Sequence, residues 1–95
     1  MYVIRRVSKV KRGQEWKGAA LLTKIAGAYE NTGRSKSHVY IGNAGLPGEQ
    51  GMIYVEWQTD KIEPNHFSKI PKEVFELNKE LREIQEDSWV EFYEL

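Results

Sequence analysis

The chain has 95 residues, of which 40% are apolar and 12% aromatic, a composition that supports a folded core and departs from that of disordered segments. Its 14 basic and 14 acidic residues cancel, so no global field recruits a polyanion or an anionic membrane surface. With no cysteine, disulfides, thiolate zinc sites and cysteine nucleophiles are excluded.

The length predicts one domain over residues 1–95, burying only about 60 to 65 per cent of the surface its unfolded form exposes, so a partner would extend the core. Arg5, Arg6 and Lys9 interrupt the apolar residues of the first ten positions, and no apolar run reaches the ~18 residues of a membrane span. The expectation is a cytoplasmic protein without membrane contact.

Tyr2 to Val10 is rich in β-branched residues and alternates, Val3 and Val7 against Tyr2, Ile4, Ser8 and Val10, as a strand does. Lys11, Arg12 and Gly13 break that pattern. From Gln14 to Asn31 good helix formers carry Leu22, Ile25 and Tyr29 at helical spacing. Gly33 then stands where a left-handed C-terminal cap is wanted. Lys36 to Ile41 and Gly51 to Trp57 alternate again, and between them Gly42 to Gln50, with three glycines and a proline, predicts a hairpin loop.

Thr59 and Asp60 suit the cap of a short helical turn before Pro64, with an irregular stretch from Glu63 to Ile70. Pro71 opens a second helix, since a first helical residue needs no N–H partner. Val74, Leu77, Leu81 and Ile84 form one apolar stripe, with Lys79–Glu83 and Arg82–Glu86 as i,i+4 ion pairs. A last strand covers Ser88 to Leu95.

The order strand, helix, strand, strand, helix, strand predicts an α+β, ferredoxin-like βαββαβ domain. Two right-handed crossovers give a four-stranded antiparallel sheet ordered 4-1-3-2, with both helices on one face. Val39, Ile41, Ile53, Val55, Trp57, Val90 and Phe92 are assigned to the helices. His38, Tyr40, Met52, Tyr54, Glu56, Trp89, Glu91 and Tyr93 then occupy the other face, which is too aromatic for bare solvent and too polar for a plain core. Two such faces related by a two-fold axis would bury it and enclose a cavity. Arg5 and Arg6 cannot both avoid burial in a central strand, and one of them can pair with Glu56 or Glu91.

On these features the chain resembles the dimeric α/β-barrel superfamily, which includes antibiotic-biosynthesis-type monooxygenases, EthD-like proteins and stress-responsive barrel proteins. Element order, the strand Met52-Ile53-Tyr54-Val55-Glu56-Trp57 running into a polar turn, and the short C-terminal strand carry the resemblance. It implies a homodimer with sheets packed face to face and a pocket for an apolar or aromatic small molecule. No invariant catalytic signature comes with it, and the long glycine-rich loop and the three tryptophans have no counterpart in it.

Candidate catalytic residues are His38, Tyr54 and Glu56, because imidazole exchanges a proton near neutral pH and Glu56 could orient it from the next strand. The plain alternative is a His38 that only hydrogen-bonds a tyrosine or the partner. Tyr40, Met52, Trp89, Glu91, Tyr93 and Arg6 are the candidate ligand-binding residues; the same aromatics also suit a dimer interface, and the arginine an internal ion pair. Trp16 and Trp57 fit ordinary packing.

His66 with Glu63 lacks any recognised metal-ligand spacing, so neither metal nor cofactor is expected. Val39-Tyr40-Ile41-Gly42-Asn43 looks like an RNA-contacting segment. It stands on the second strand, before a hairpin and on a face bearing Glu56 and Glu91, which argues against nucleic acid. The glycines of the loop precede no helix and so make no phosphate cradle. Three classes of function remain: a small-molecule-binding homodimer, a cofactor-free monooxygenase or isomerase, and a structural protein whose face is filled by its partner.

Overall fold

A computed structural model describes residues 1–62 and 70–95. Glu63 and His66, and with them the metal pair considered above, lie outside the described residues.

The elements follow the predicted order: β1 (Tyr2–Val10), α1 (Glu15–Glu30), β2 (His38–Gly42), β3 (Met52–Thr59), α2 (Lys72–Arg82) and β4 (Gln85–Glu94). One four-stranded sheet runs β2-β3-β1-β4, all neighbours antiparallel, which is the predicted 4-1-3-2 order read from the other edge. The positions after β3 that were expected to open a helical turn, Asp60 to Ile62, are non-helical.

Register settles which side of each strand looks where. Ile4 stands opposite Trp57, Arg6 opposite Val55 and Ser8 opposite Ile53, so the even positions of β1 share the face that α1 and α2 cover. That face holds the core: Ile4, Val10, Leu22, Ile25, Ile53, Val55, Trp57, Val74, Leu81 and Ile84 pack in one cluster. Helix α1 sits close against the sheet because Gly18 has no side chain; a Cβ there would come 2.5 Å from the Ile53 methyl.

Helix α2 buries Val74 and Leu81 as its stripe predicts. It ends at Arg82, earlier than its charge pattern suggests, and Ile84 is already in the turn into β4. Glu83 and Glu86 therefore fall outside the helix, and the pairs Lys79–Glu83 and Arg82–Glu86 are not among the ion pairs formed by the described residues. Strand β4 begins three residues earlier than expected, at Gln85. A register shift at Lys9/Val10 absorbs the extra residue as β4 joins β1.

The loop between β2 and β3 is held by its own side chains. The Gln50 amide donates to the Asn43 carbonyl at 2.7 Å, and the Asn43 amide donates to the Glu49 carbonyl at 2.9 Å. Asn43 takes a positive φ of 59°, a conformation that asparagine tolerates better than most residues. A 2.7 Å ion pair from Lys9 to Glu49 ties the loop to β1.

Candidate functional site

The face opposite the helices gathers residues at alternate positions of all four strands. Across it in register lie His38 with Glu56, Tyr40 with Tyr54, Arg5 with Glu56 and Glu91, and Val7 with Tyr54 and Trp89. Thus all eight side chains expected on this face, His38, Tyr40, Met52, Tyr54, Glu56, Trp89, Glu91 and Tyr93, share one surface. Tyr40, Trp89 and Tyr93 are 38%, 40% and 46% exposed, whereas Val7 and Met52 beside them are only 1% and 5% exposed. A single chain already covers its aliphatic centre and leaves the aromatic groups outward.

Two polar clusters order this face. In the first, the Glu91 carboxylate is the hub. It accepts from Arg5 Nε at 2.9 Å and Nη2 at 2.5 Å, from the Tyr93 hydroxyl at 2.7 Å and from the Trp89 indole N–H at 3.0 Å. Donation from Tyr93 and Trp89, with the Arg5 guanidinium alongside, pulls the Glu91 carboxyl down to about 2. The Arg5 guanidinium is held above its ordinary value, chiefly by the Glu91 hydrogen bond, and lies 4.9 Å from the Tyr54 ring centre and 5.4 Å from that of Tyr93.

In the second cluster Tyr40 and Tyr54 stack at 5.1 Å with 23° between their planes. The Tyr40 hydroxyl donates to Glu56 Oε1 at 3.1 Å, and burial raises its pKa first of all. Gly42 makes room for this stack: a Cβ there would meet Tyr54 Cε2 at 2.7 Å.

Two expectations change. Glu56 accepts from Tyr40, and no His38–Glu56 hydrogen bond is among those of the described residues; the strand pairing places the two side by side, but the tyrosine takes the carboxylate. Arg6, expected on this face, points to the helices, because adjacent residues of a strand face opposite ways. Arg5 takes its place in the ion pair with Glu91.

Sequence reasoning did not find a second group, on the helix side. The Arg34 guanidinium packs over the Tyr29 ring at 3.8 Å and the Trp57 ring at 4.1 Å. Arg6 and Arg34 both line a small cavity between α1 and the sheet. Among the described residues no cluster of His, Asp and Glu could hold a metal ion, and no helix is long and apolar enough to cross a membrane.

No protein-family model and no curated protein matches the sequence. Solved structures match its fold over nearly the whole length. An uncharacterized NIPSNAP domain protein from Burkholderia xenovorans aligns at TM-score 0.73 and 11% identity, covering 100% of this chain and 94% of that one. An antibiotic biosynthesis monooxygenase aligns at TM-score 0.73 and 9% identity, covering 100% and 98%. A dimeric protein of unknown function and ferredoxin-like fold from Bacteroides fragilis aligns at TM-score 0.70 and 19% identity, covering 99% and 96%. The shared fold is the ferredoxin-like βαββαβ arrangement, as the element order implies.

Proposed function

We propose that the chain forms a homodimer whose sheets meet open face to open face and hold a small apolar or aromatic molecule between them. The observation that carries this reading is the aromatic surface of Tyr40, Trp89 and Tyr93, with Tyr54 half-buried and stacked on Tyr40, standing over an already buried Val7 and Met52. Tyrosine and tryptophan are favoured where an apolar body must be covered while a polar tip finds a partner. Here the tips of Tyr40, Trp89 and Tyr93 are engaged by Glu56 and Glu91, which leaves ring faces and edges for the partner sheet or a ligand.

The dimeric Bacteroides fragilis neighbour supports the assembly. Binding without chemistry is the form the geometry supports best, since Glu91 spends both of its oxygens, and Glu56 one of its two, on fixing neighbouring side chains.

Native mass spectrometry of gently purified protein, followed by denaturing release, tests both halves of the reading. A dimer that loses a small-molecule mass on denaturation supports it. A dimer without added mass keeps the interface and removes the ligand, and a monomer at micromolar concentration overturns the reading.

A further inference from the structure

Arg6 and Arg34 are separated by 28 positions in the chain and meet in one cavity. Its remaining wall is apolar or aromatic: Leu22, Ile25 and Ala26 of α1, Val55 of β3 and Val90 of β4, with Tyr29 and Trp57 beside Arg34. Burying a guanidinium is costly unless an anion or good acceptors meet it. Neither arginine is in an ion pair or a side-chain hydrogen bond among the described residues. Burial lowers the pKa of both, and Arg6 lowers that of Arg34 further. Two like charges thus share a half-buried space, with no carboxylate of the described residues paired to either.

The geometry around Arg34 gives the site a direction. Ring contacts use the flat face of a guanidinium, while its N–H donors lie in the plane and point outward from the edge. With Tyr29 and Trp57 engaging the face, the edge remains for an acceptor, and a planar carboxylate matches a guanidinium edge with two parallel hydrogen bonds.

The space matches the head of such a ligand. The cavity of about 40 Å³ is several times the minimum volume of roughly 10 to 15 Å³ that admits one water. It shares Tyr29, Arg34 and Trp57 with a larger cavity of about 580 Å³ along α1 and β3, where Asp60 and Lys61 lie on the wall with opposite charges and offer a second anionic group no net attraction.

We infer that Arg6 and Arg34 form a site, separate from the aromatic sheet face, for a monocarboxylate on an apolar or aromatic body. The carboxylate sits at the guanidinium edges and the body extends past Trp57 into the larger cavity.

Calorimetric titration of the full chain with benzoate, with the neutral isostere benzamide as control, tests this. Benzoate is expected to bind saturably and at least ten times more tightly than benzamide. Arg34→Gln should weaken benzoate at least ten-fold, and Arg34→Lys, which keeps the charge but loses the planar edge, should weaken it several-fold. Arg5→Gln on the other face should leave it unchanged.

Arg34 lies on a loop after α1, so both of its variants should keep the far-ultraviolet circular dichroism of the parent, and each titration is read only on protein that does. Absence of saturable benzoate binding, equal binding of benzamide, or a loss on Arg5→Gln that Arg34→Gln does not share would each overturn the inference. The last outcome would place the carboxylate on the sheet face instead. Failure of the protein to dimerise would sink the proposed function but leave this site intact.

Discussion

The two faces of this sheet are drawn from alternate residues of the same strands, yet they solve different problems. The helix face is built from Ile4, Ile53, Val55 and Trp57 closed under α1 and α2, and needs no other chain. The open face carries four aromatic side chains, Tyr40, Tyr54, Trp89 and Tyr93, and its order comes from two carboxylates, Glu56 and Glu91, that fix the rings around a small buried centre. Packing organises most of one face, and hydrogen bonds order the other, where the proposed dimer would close. Substitutions on the first should therefore be read in folding, and on the second in association.

The largest effect should come from Ile53→Ala. Ile53 is fully buried, and removing its side chain leaves a cavity that costs about 2 to 5 kcal/mol, to be seen as a lower urea midpoint. Next is Tyr54→Glu, which puts a carboxylate at the centre of the stack with Tyr40. Its expected cost to dimerisation is about 2 kcal/mol or more, typical of an interface hot spot, or at least a 30-fold rise in dimer dissociation constant by sedimentation. The monomer's circular dichroism should be retained. A Tyr54→Glu protein that unfolds rather than dissociates would erase the distinction between the faces.

A pH titration sharpens the contrast. The folded-state pKa of Glu91 is depressed to about 2 from 4.5, so the native state favours its ionised form. The associated stability is present above the unfolded value and is lost as pH falls from about 5 towards 2. Glu91→Gln should flatten that part of the curve relative to the parent protein, and equal slopes would mean that the Arg5–Tyr93–Trp89 cluster does not hold the carboxylate in solution. The carboxylate is partly exposed, so the effect is screened and should be smaller than the two above.

The elements and both faces were legible because the strands alternate with few exceptions, and period two is the strongest signal a half-buried strand gives. The central strand was the exception. Val3 and Val7 on one side and Ile4 and Val10 on the other are equally apolar, so Arg5 and Arg6 looked interchangeable, and only pairing of Arg6 with Val55 resolves them. The start of β4 was missed because Gln85, Glu86 and Asp87 read as more surface helix, although an edge strand tolerates that polarity. The Tyr29–Arg34–Trp57 group was hidden for another reason: a helix end, a loop and a strand end meet only in three dimensions. The signal available was Trp57, assigned correctly to the helix side, with an arginine just past α1 to cover it.

The smallest effect tests whether the helix face is governed by packing alone. Ser8 sits there between Ile53 and Ser88 in register. It is wholly inaccessible, and its hydroxyl has no partner among the described residues. A buried hydroxyl without a partner forfeits the hydrogen bonds it makes to water in the unfolded chain. Its removal in Ser8→Ala gives up only one oxygen's worth of contact. The substitution should leave stability unchanged or raise it by up to about 1 kcal/mol, measured as a urea midpoint at constant slope. A loss of 1 kcal/mol or more would mean that the hydroxyl does find an acceptor in solution, and that the helix face, like the open one, depends on a polar contact for its order.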